Sequence, residues 1–318
     1  MDVDSKQSKL SRLSPLNLIG NTPLIELRSY RSERGVRIFA KLEGQNPSGS
    51  IKDRVALALI EAAEAEGRLK PGSRIVEASS GNTGISLSMI ALQKGYEAHV
   101  VIPTHVPDII GDILDLLGAE IHWCEAHAGM KGAILAAQKL ADEMDAVCLG
   151  QFTSPANTLV HVNTTGPEIC AALDRIDVFV AGIGTGGTIM GVSQALKVEH
   201  PNLRVVGVEP QPGERLQGLT NLKDAYQPPL LDLNGLNRRL MVNTAQALQA
   251  TKELAAREGI LAGVSSGATL CAALKEADNM SEGNIVIMFS DGGWKYLPAR
   301  PWDAAEHGDH SLDELHWW

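Results

Sequence analysis

Short apolar, β-branched runs alternate with longer stretches of helical periodicity along most of this chain, and that alternation is its strongest structural constraint. Strand patterns fall at Val36–Leu42, Arg74–Ala78, 99–103, 178–183, 204–209 and 284–289. Helical patterns fall at 51–67, Asn82–Lys94, 110–117, 188–197, 245–258 and 268–276. In the first of these helices Val55, Leu57, Ala58, Ile60 and Ala62 form the apolar pattern. Strand, helix and strand in succession imply parallel strands joined by crossovers, with helices covering both sheet faces. The predicted class is therefore α/β. The clearest long loop is 226–234 (YQPPLLDLN), and no repeat or low-complexity segment interrupts the pattern.

Composition narrows the partners. The 318 residues carry a formal net charge of -10, which disfavours nucleic acid or an anionic membrane surface as the main partner. A local pocket can still oppose that field and take a small anion. No apolar run reaches the ~18 residues of a membrane span, and the polar start, 1–13, reads as a mobile tail without a secretory signal. A cytoplasmic protein is expected. The four cysteines, Cys124, Cys148, Cys170 and Cys271, form no C-x-x-C pair and read as structural thiols of a reducing compartment; no metal is expected. The tail 301–318 ends in Leu315, Trp317 and Trp318, which either dock on the body or a second subunit or stay unattached.

Four turns carry the chemistry. In 46–54 (NPSGSIKDR) a loop rich in Asn, Pro, Gly and Ser runs into a helix with Lys52 in its first turn. A cation is unfavourable at a helix N-terminus, so position and burial both push the amine toward its neutral, nucleophilic form. Read alone, the segment is more readily an ordinary solvated lysine at a helix start. In 79–84 (SSGNTG) the hydroxyls of Ser79, Ser80 and Thr83 join free backbone N–H groups between a strand and a helix, which suits a carboxylate or phosphate or else a plain serine cap. In 184–188 (GTGGT) Gly184, Thr185, Gly186, Gly187 and Thr188 make a phosphate cradle. It matches neither nucleotide-binding glycine signature, although Glu209 at the end of a later strand leaves a weak dinucleotide reading open. In 263–267 (GVSSG), placed just before a helix, Ser265 offers a hydroxyl to a ring nitrogen or merely a cap.

These four segments, in this order, resemble the cysteine synthase family of pyridoxal 5'-phosphate (PLP) enzymes, fold type II. Further matching segments are 18–24 (LIGNTPL), 151–157 (QFTSPAN), 164–168 (TTGPE), 258–263 (EGILAG) and 294–297 (WKYL), so the resemblance spans nearly the whole chain. The wording around Lys52 and at 291–296 (DGGWKY) is most similar to the B-type branch, whose members use O-acetylserine or O-phosphoserine. The resemblance implies two open twisted sheets with flanking helices, as in the tryptophan synthase β chain. It implies a smaller mobile domain at 48–157 and a larger one from 14–47 and 158–300. It implies a homodimer.

It also implies roles. Lys52 would hold PLP as a Schiff base and remove the substrate α-proton. Asn82 would meet the ring 3′-oxygen, Gly184 to Thr188 the phosphate, and Ser265 the pyridine nitrogen. Ser79, Ser80, Thr83 and Gln151 would bind the carboxylate of an amino-acid substrate. The implied reaction is β-replacement on an O-activated L-serine through an α-aminoacrylate, forming L-cysteine from sulfide or another sulfur donor. Two other readings stay open: an amine or other nucleophile giving a 2,3-diaminopropionate-type product, and a non-catalytic binding protein on the same fold.

The chain departs from the family at 104–112 (THVPDIIGD), where an arginine pair is usual and a proline has entered. Ser79 replaces the usual threonine. Thr220 stands where phosphoserine-using relatives carry arginine, which weakens the case for a phosphorylated substrate, with Arg215 or Lys223 as substitutes.

Overall fold

The computed structural model describes residues 14–104, 106–125, 129–223 and 227–302. The tail at 1–13, the chain end from 303 onward with its tryptophans, His105 in the atypical 104–112 stretch and Tyr226 at the start of the predicted long loop lie outside the described residues.

Among the described residues ten strands form two sheets. The first comprises β1 (Leu24–Glu26), β2 (Val36–Leu42), β7 (Val178–Gly182), β8 (Arg204–Pro210), β9 (Arg238–Val242) and β10 (Gly283–Phe289) in the order β1-β2-β10-β7-β8-β9. Only the β1–β2 pair in it is antiparallel. The second holds β3 (Arg74–Ala78), β4 (Glu97–Pro103), β5 (Glu120–Cys124) and β6 (Val147–Cys148) in the order β5-β4-β3-β6, all parallel. The helices are α1 (Lys52–Ala65), α2 (Asn82–Lys94), α3 (Asp108–Leu116), α4 (Gly129–Met144), α5 (Ala156–Val160), α6 (Gly166–Ala172), α7 (Gly187–Glu199), α8 (Thr244–Glu258) and α9 (Val264–Ala277). A single π-helical turn, His161–Thr165, joins α5 to α6.

Both faces of each sheet are covered, as the unbroken apolar strands require. Along β7, Val178 and Val180 pack with Leu248, Leu254 and Leu270 of α8 and α9. Phe179 and Ala181, pointing the other way, pack with Ile169, Ile189 and Val192 of α6 and α7. In the smaller sheet Ile75, Val100 and Ile102 face α1 to α3, while Val76, Ala78 and Val101 face Ala133, Ala137 and Ala141 of α4.

A buried ionic knot ties α1 to the larger sheet. Arg54 lies 2.8 Å from Glu43 and 2.6 Å from Glu168, and Lys41 lies 2.6 Å from Glu168. Burial alone would raise the Glu168 pKa, but hydrogen bonds from Arg54 and Lys41 hold it at about 2. Desolvation alone would lower the Arg54 pKa, but the hydrogen bonds it donates to both carboxylates push it upward.

The α/β alternation holds. Seven elements escaped the pattern: the three-residue β1; β5, with His122 inside it; α4, with glycines at 129 and 132; the two-residue β6; the short helices α5 and α6; and β9, which opens on Arg238 and Arg239. Elsewhere the boundaries shift. Helix α9 begins at Val264 rather than 268, so Ser265 belongs to its first turn instead of preceding it. In the atypical stretch Pro107 sits directly before α3, where a fixed φ without an N–H donor is harmless.

Candidate active site

A cavity of about 150 Å³ opens between the two sheets at the carboxyl ends of β3, β7 and β10. That is the expected location of a ligand in an open α/β sheet. Lys52, Ser79, Ser80, Asn82, Thr83, Gln151, Gly184, Thr185, Gly186, Thr188 and Ser265 all line it. Of the predicted residues only Gly187 lies behind the lining, where it has a different use. A Cβ there would stand 2.1 Å from Asn157 Oδ1, so only glycine lets the loop settle against α5.

Lys52 opens α1 and lines the cavity. Burial pushes its pKa below the usual lysine range; Asp291 opposes that shift and Lys295 adds to it. The result is an amine biased toward its neutral form.

The 184–188 loop sits between β7 and α7. Gly186 adopts φ +87°, which admits the tight turn before the helix. The first turn of α7 leaves N–H groups without partners inside the helix, and these face the loop mouth. Support comes from behind. Asn157 Nδ2 donates to Thr185 Oγ1 at 3.0 Å and to the Gln151 carbonyl at 2.7 Å. His161, fully buried in the π turn, places Nε2 3.1 Å from Thr188 Oγ1 and Nδ1 2.9 Å from Thr165 Oγ1. Desolvation, with Lys52 and Arg54 nearby, holds this imidazole well below its ordinary pKa. It therefore acts as a neutral bridge that orients the Thr188 hydroxyl.

The 79–84 loop is similarly braced. Ser79 Oγ accepts the N–H groups of Gly81 at 3.1 Å and Gly84 at 2.8 Å. Thr83 Oγ1 donates to Gln151 Oε1 at 2.7 Å, and Gln151 Nε2 donates to the Ala78 carbonyl at 2.8 Å. Beneath Gln151, the buried Glu77 carboxylate accepts the amides of Gly150 at 2.8 Å, Gln151 at 3.3 Å and Ala78 at 3.2 Å. Desolvation outweighs these hydrogen bonds and pushes the Glu77 pKa up to about 7.

Asn82 is held from the far side of the cavity. Its Nδ2 donates to Asp291 Oδ2 at 2.9 Å, and its Oδ1 accepts from Lys295 Nζ. Asp291 also accepts from Tyr296 at 2.8 Å and pairs with Lys295 at 2.8 Å. This arrangement fixes which way the Asn82 amide points. Asp291 Oδ1 is buried without a protein partner. His161, Glu77 and the Asp291–Lys295 pair escaped the sequence reading as site supports, because their partners lie far off in the chain. The dinucleotide alternative loses its acid: Glu209 pairs with Arg239 at 3.3 Å, accepts the Leu222 amide at 2.9 Å and does not line the cavity.

A phosphate-type cradle, a desolvated lysine and an oriented amide converge here. The family model for pyridoxal-phosphate dependent enzymes matches residues 16–291. The chain belongs to that family. It is 40% identical to the cysteine synthase of Staphylococcus aureus (strain Mu50 / ATCC 700699), covering 88% of this chain and 94% of that one. It is 38% identical to cysteine synthase B of Escherichia coli (strain K12), covering 88% and 92%. Among solved structures it superposes on an O-ureido-L-serine synthase with a TM-score of 0.88 at 35% identity, covering 94% of this chain and 98% of that chain. It also superposes on a hydrogen sulfide-producing enzyme from Fusobacterium nucleatum with a TM-score of 0.85 at 35% identity, covering 89% and 99%. Its cofactor is therefore PLP, and its sheets have the fold type II arrangement. Among the described residues no helix is long and apolar enough to cross a membrane.

Proposed function

We propose that this protein catalyses β-replacement on O-acetyl-L-serine and forms L-cysteine from sulfide or another sulfur donor. The observation that carries the reading is Lys52, desolvated and lining the cavity between one loop suited to a phosphate and a second suited to a carboxylate. The relatives named as cysteine synthases support the same product.

The residues fit the cofactor. Gly184, Thr185, Gly186 and Thr188 would hold its phosphate, Lys52 its aldehyde carbon, Asn82 its 3′-oxygen and Ser265 its ring nitrogen. When bound, PLP supplies an electron sink for charge that develops at the substrate Cα. A neutral hydroxyl at Ser265, rather than a carboxylate, keeps the ring nitrogen less protonated, which favours loss of the β-substituent over transamination. The substrate carboxylate would sit against Ser79, Ser80, Thr83 and Gln151 and take hydrogen bonds from the 79–84 amides and hydroxyls, Thr83 donating only once its proton turns away from Gln151. The Lys52 Nζ, biased toward its neutral form, would accept the substrate α-proton, with the β-substituent leaving and the nucleophile adding at Cβ. Among the described residues no arginine lines the cavity, which favours acetate over phosphate as leaving group.

The deciding assay mixes PLP-loaded protein with O-acetylserine and sulfide and measures cysteine. The wild-type chain forms it, while Lys52→Ala loses both turnover and the visible absorbance of lysine-bound cofactor. Wild-type protein that forms no cysteine and shows no spectral change with either O-acetylserine or O-phosphoserine refutes the assignment. The likeness to an O-ureido-L-serine synthase favours a second reading, in which another nucleophile enters the same first half-reaction. Competition between sulfide, thiosulfate, amines and hydroxyurea in one vessel separates the two.

We further infer that 48–157 is the smaller, mobile domain against 14–47 plus 158–300, a division supported by the separate apolar clusters of the two sheets. A cytoplasmic homodimer is the assembly we infer from the family, and light scattering of the purified chain tests it.

A further inference from the structure

Away from the cavity, parallel pairing of β4 with β5 brings three metal-ligating side chains together. His99 of β4 stands opposite Glu120 of β5, and Val101 stands opposite His122. Alternate residues of a strand share a face, so His99, Glu120 and His122 all project to the side that α4 covers. His99 Nδ1 lies 3.1 Å from His122 Nε2 and 3.4 Å from Glu120 Oε2, while His122 Nε2 lies 3.6 Å from Glu120 Oε1. We propose that His99, Glu120 and His122 form a binding site for a first-row divalent cation of the zinc type.

The distances carry the proposal. A tetrahedral zinc centre has bonds of about 2.0–2.1 Å to imidazole nitrogen and carboxylate oxygen, which sets neighbouring ligand atoms ~3.3 Å apart. The observed separations bracket that value, with His99 facing Oε2 and His122 facing Oε1, so the carboxylate either turns to present one oxygen or binds with both. Two imidazoles and one carboxylate form a ligand set that neutralises half of a dication's charge at most and leaves a fourth position open to water. β5 is an edge strand, and the Glu120 side chain is 65% exposed, which gives an ion a path inward.

Ligation through Nδ1 puts the His99 proton on Nε2, which is buried and has no protein partner, a desolvation cost that the ion must offset. Bound across two strands, the ion would staple the exposed edge of the smaller sheet to β4. None of the three residues lines the cofactor cavity.

The test uses the full-length, untagged chain loaded with PLP, in buffer free of cysteine and sulfide. Zn²⁺ is titrated against a chromophoric chelator. Wild-type protein takes up one equivalent, and Zn²⁺ raises its urea midpoint by linkage. Glu120→Gln and His122→Gln each weaken that uptake by at least ~10-fold and lose the midpoint shift, with the cofactor absorbance unchanged. Absence of saturable uptake by the wild-type chain overturns the site. Undiminished uptake by His122→Gln overturns it as well, and places the ion elsewhere. The second candidate cluster among the described residues, Cys170, Glu199 and His200, is checked with Cys170→Ser.

Discussion

Replacing the buried Glu77 by glutamine should make the stability of this protein less sensitive to alkaline pH. In the folded chain its pKa is raised from 4.5 to about 7, chiefly by desolvation. An acid whose folded pKa lies above its unfolded value binds more protons when folded, so stability falls as pH rises from 4.5 toward 7 and is level beyond. At about 1.4 kcal/mol per pKa unit, the penalty is roughly 1.4 kcal/mol at pH 5.5 and roughly 3.4 kcal/mol at pH 8.5. Glutamine carries no charge to desolvate, and its carbonyl still accepts the Gly150 and Gln151 amides that Oε2 takes now. It loses the Ala78 amide from Oε1, a pH-independent cost of about 1–3 kcal/mol. Urea unfolding of wild-type and Glu77→Gln holoenzyme at pH 5.5 and 8.5 isolates the difference, because every other titrating group is common to both. The variant should gain about 2 kcal/mol on the wild type between those two values. An unchanged gap would mean that Glu77 is not titrating in this window, and that its role is geometric only.

Other perturbations probe the remaining parts of the site. Gly187→Ala forces a Cβ to within 2.1 Å of Asn157 Oδ1, so the loop must move off its support; spectral titration of the apo-protein should show cofactor affinity reduced by about 10-fold or more, near 1.4 kcal/mol. Arg54→Met leaves the buried Glu43 without its cation and Glu168 with Lys41 alone, and should cost about 3–5 kcal/mol in urea unfolding. Glu168, depressed from 4.5 to about 2, contributes stability that is present above pH 4.5 and lost as pH falls toward 2, so Glu168→Gln should flatten acid unfolding in that window. Thr83→Val removes the donor to Gln151 Oε1 and should raise the KM for O-acetylserine by roughly 10-fold while leaving cofactor absorbance intact.

The chemistry-bearing turns were legible because their composition leaves the backbone few options. GTGGT between an apolar run and a helical run can hardly be anything but a close-approach loop at a helix start, and the structure has it there. SSGNTG behaves alike. The β3, β4, β7, β8 and β10 patterns were readable because strands buried on both faces are nearly continuous in Val, Ile and Ala. Local signals failed where tertiary context overrode them. β5 carries Glu120 and His122 on the face toward α4, β6 is two residues long, and α4 buries alanines rather than large side chains.

By itself, then, the sequence determined the α/β class, the four loops and the lysine that the cavity receives, since each is a property of adjacent residues. What only the tertiary structure decided is what stands behind those loops. The partners that orient Asn82 are 209 and 213 positions away, and they meet it because β10 lies in the larger sheet while Asn82 opens a helix of the smaller one. His161 reaches Thr188 across a π turn that no periodicity announces. His99 and His122, which no short spacing links, approach to 3.1 Å through the parallel register of β4 and β5. Backbone conformation follows from neighbours in the chain. Charge state and orientation follow from neighbours in space, and for Lys52 those are the burial, the opposing Asp291 and the nearby Lys295 that bias its amine toward the neutral form.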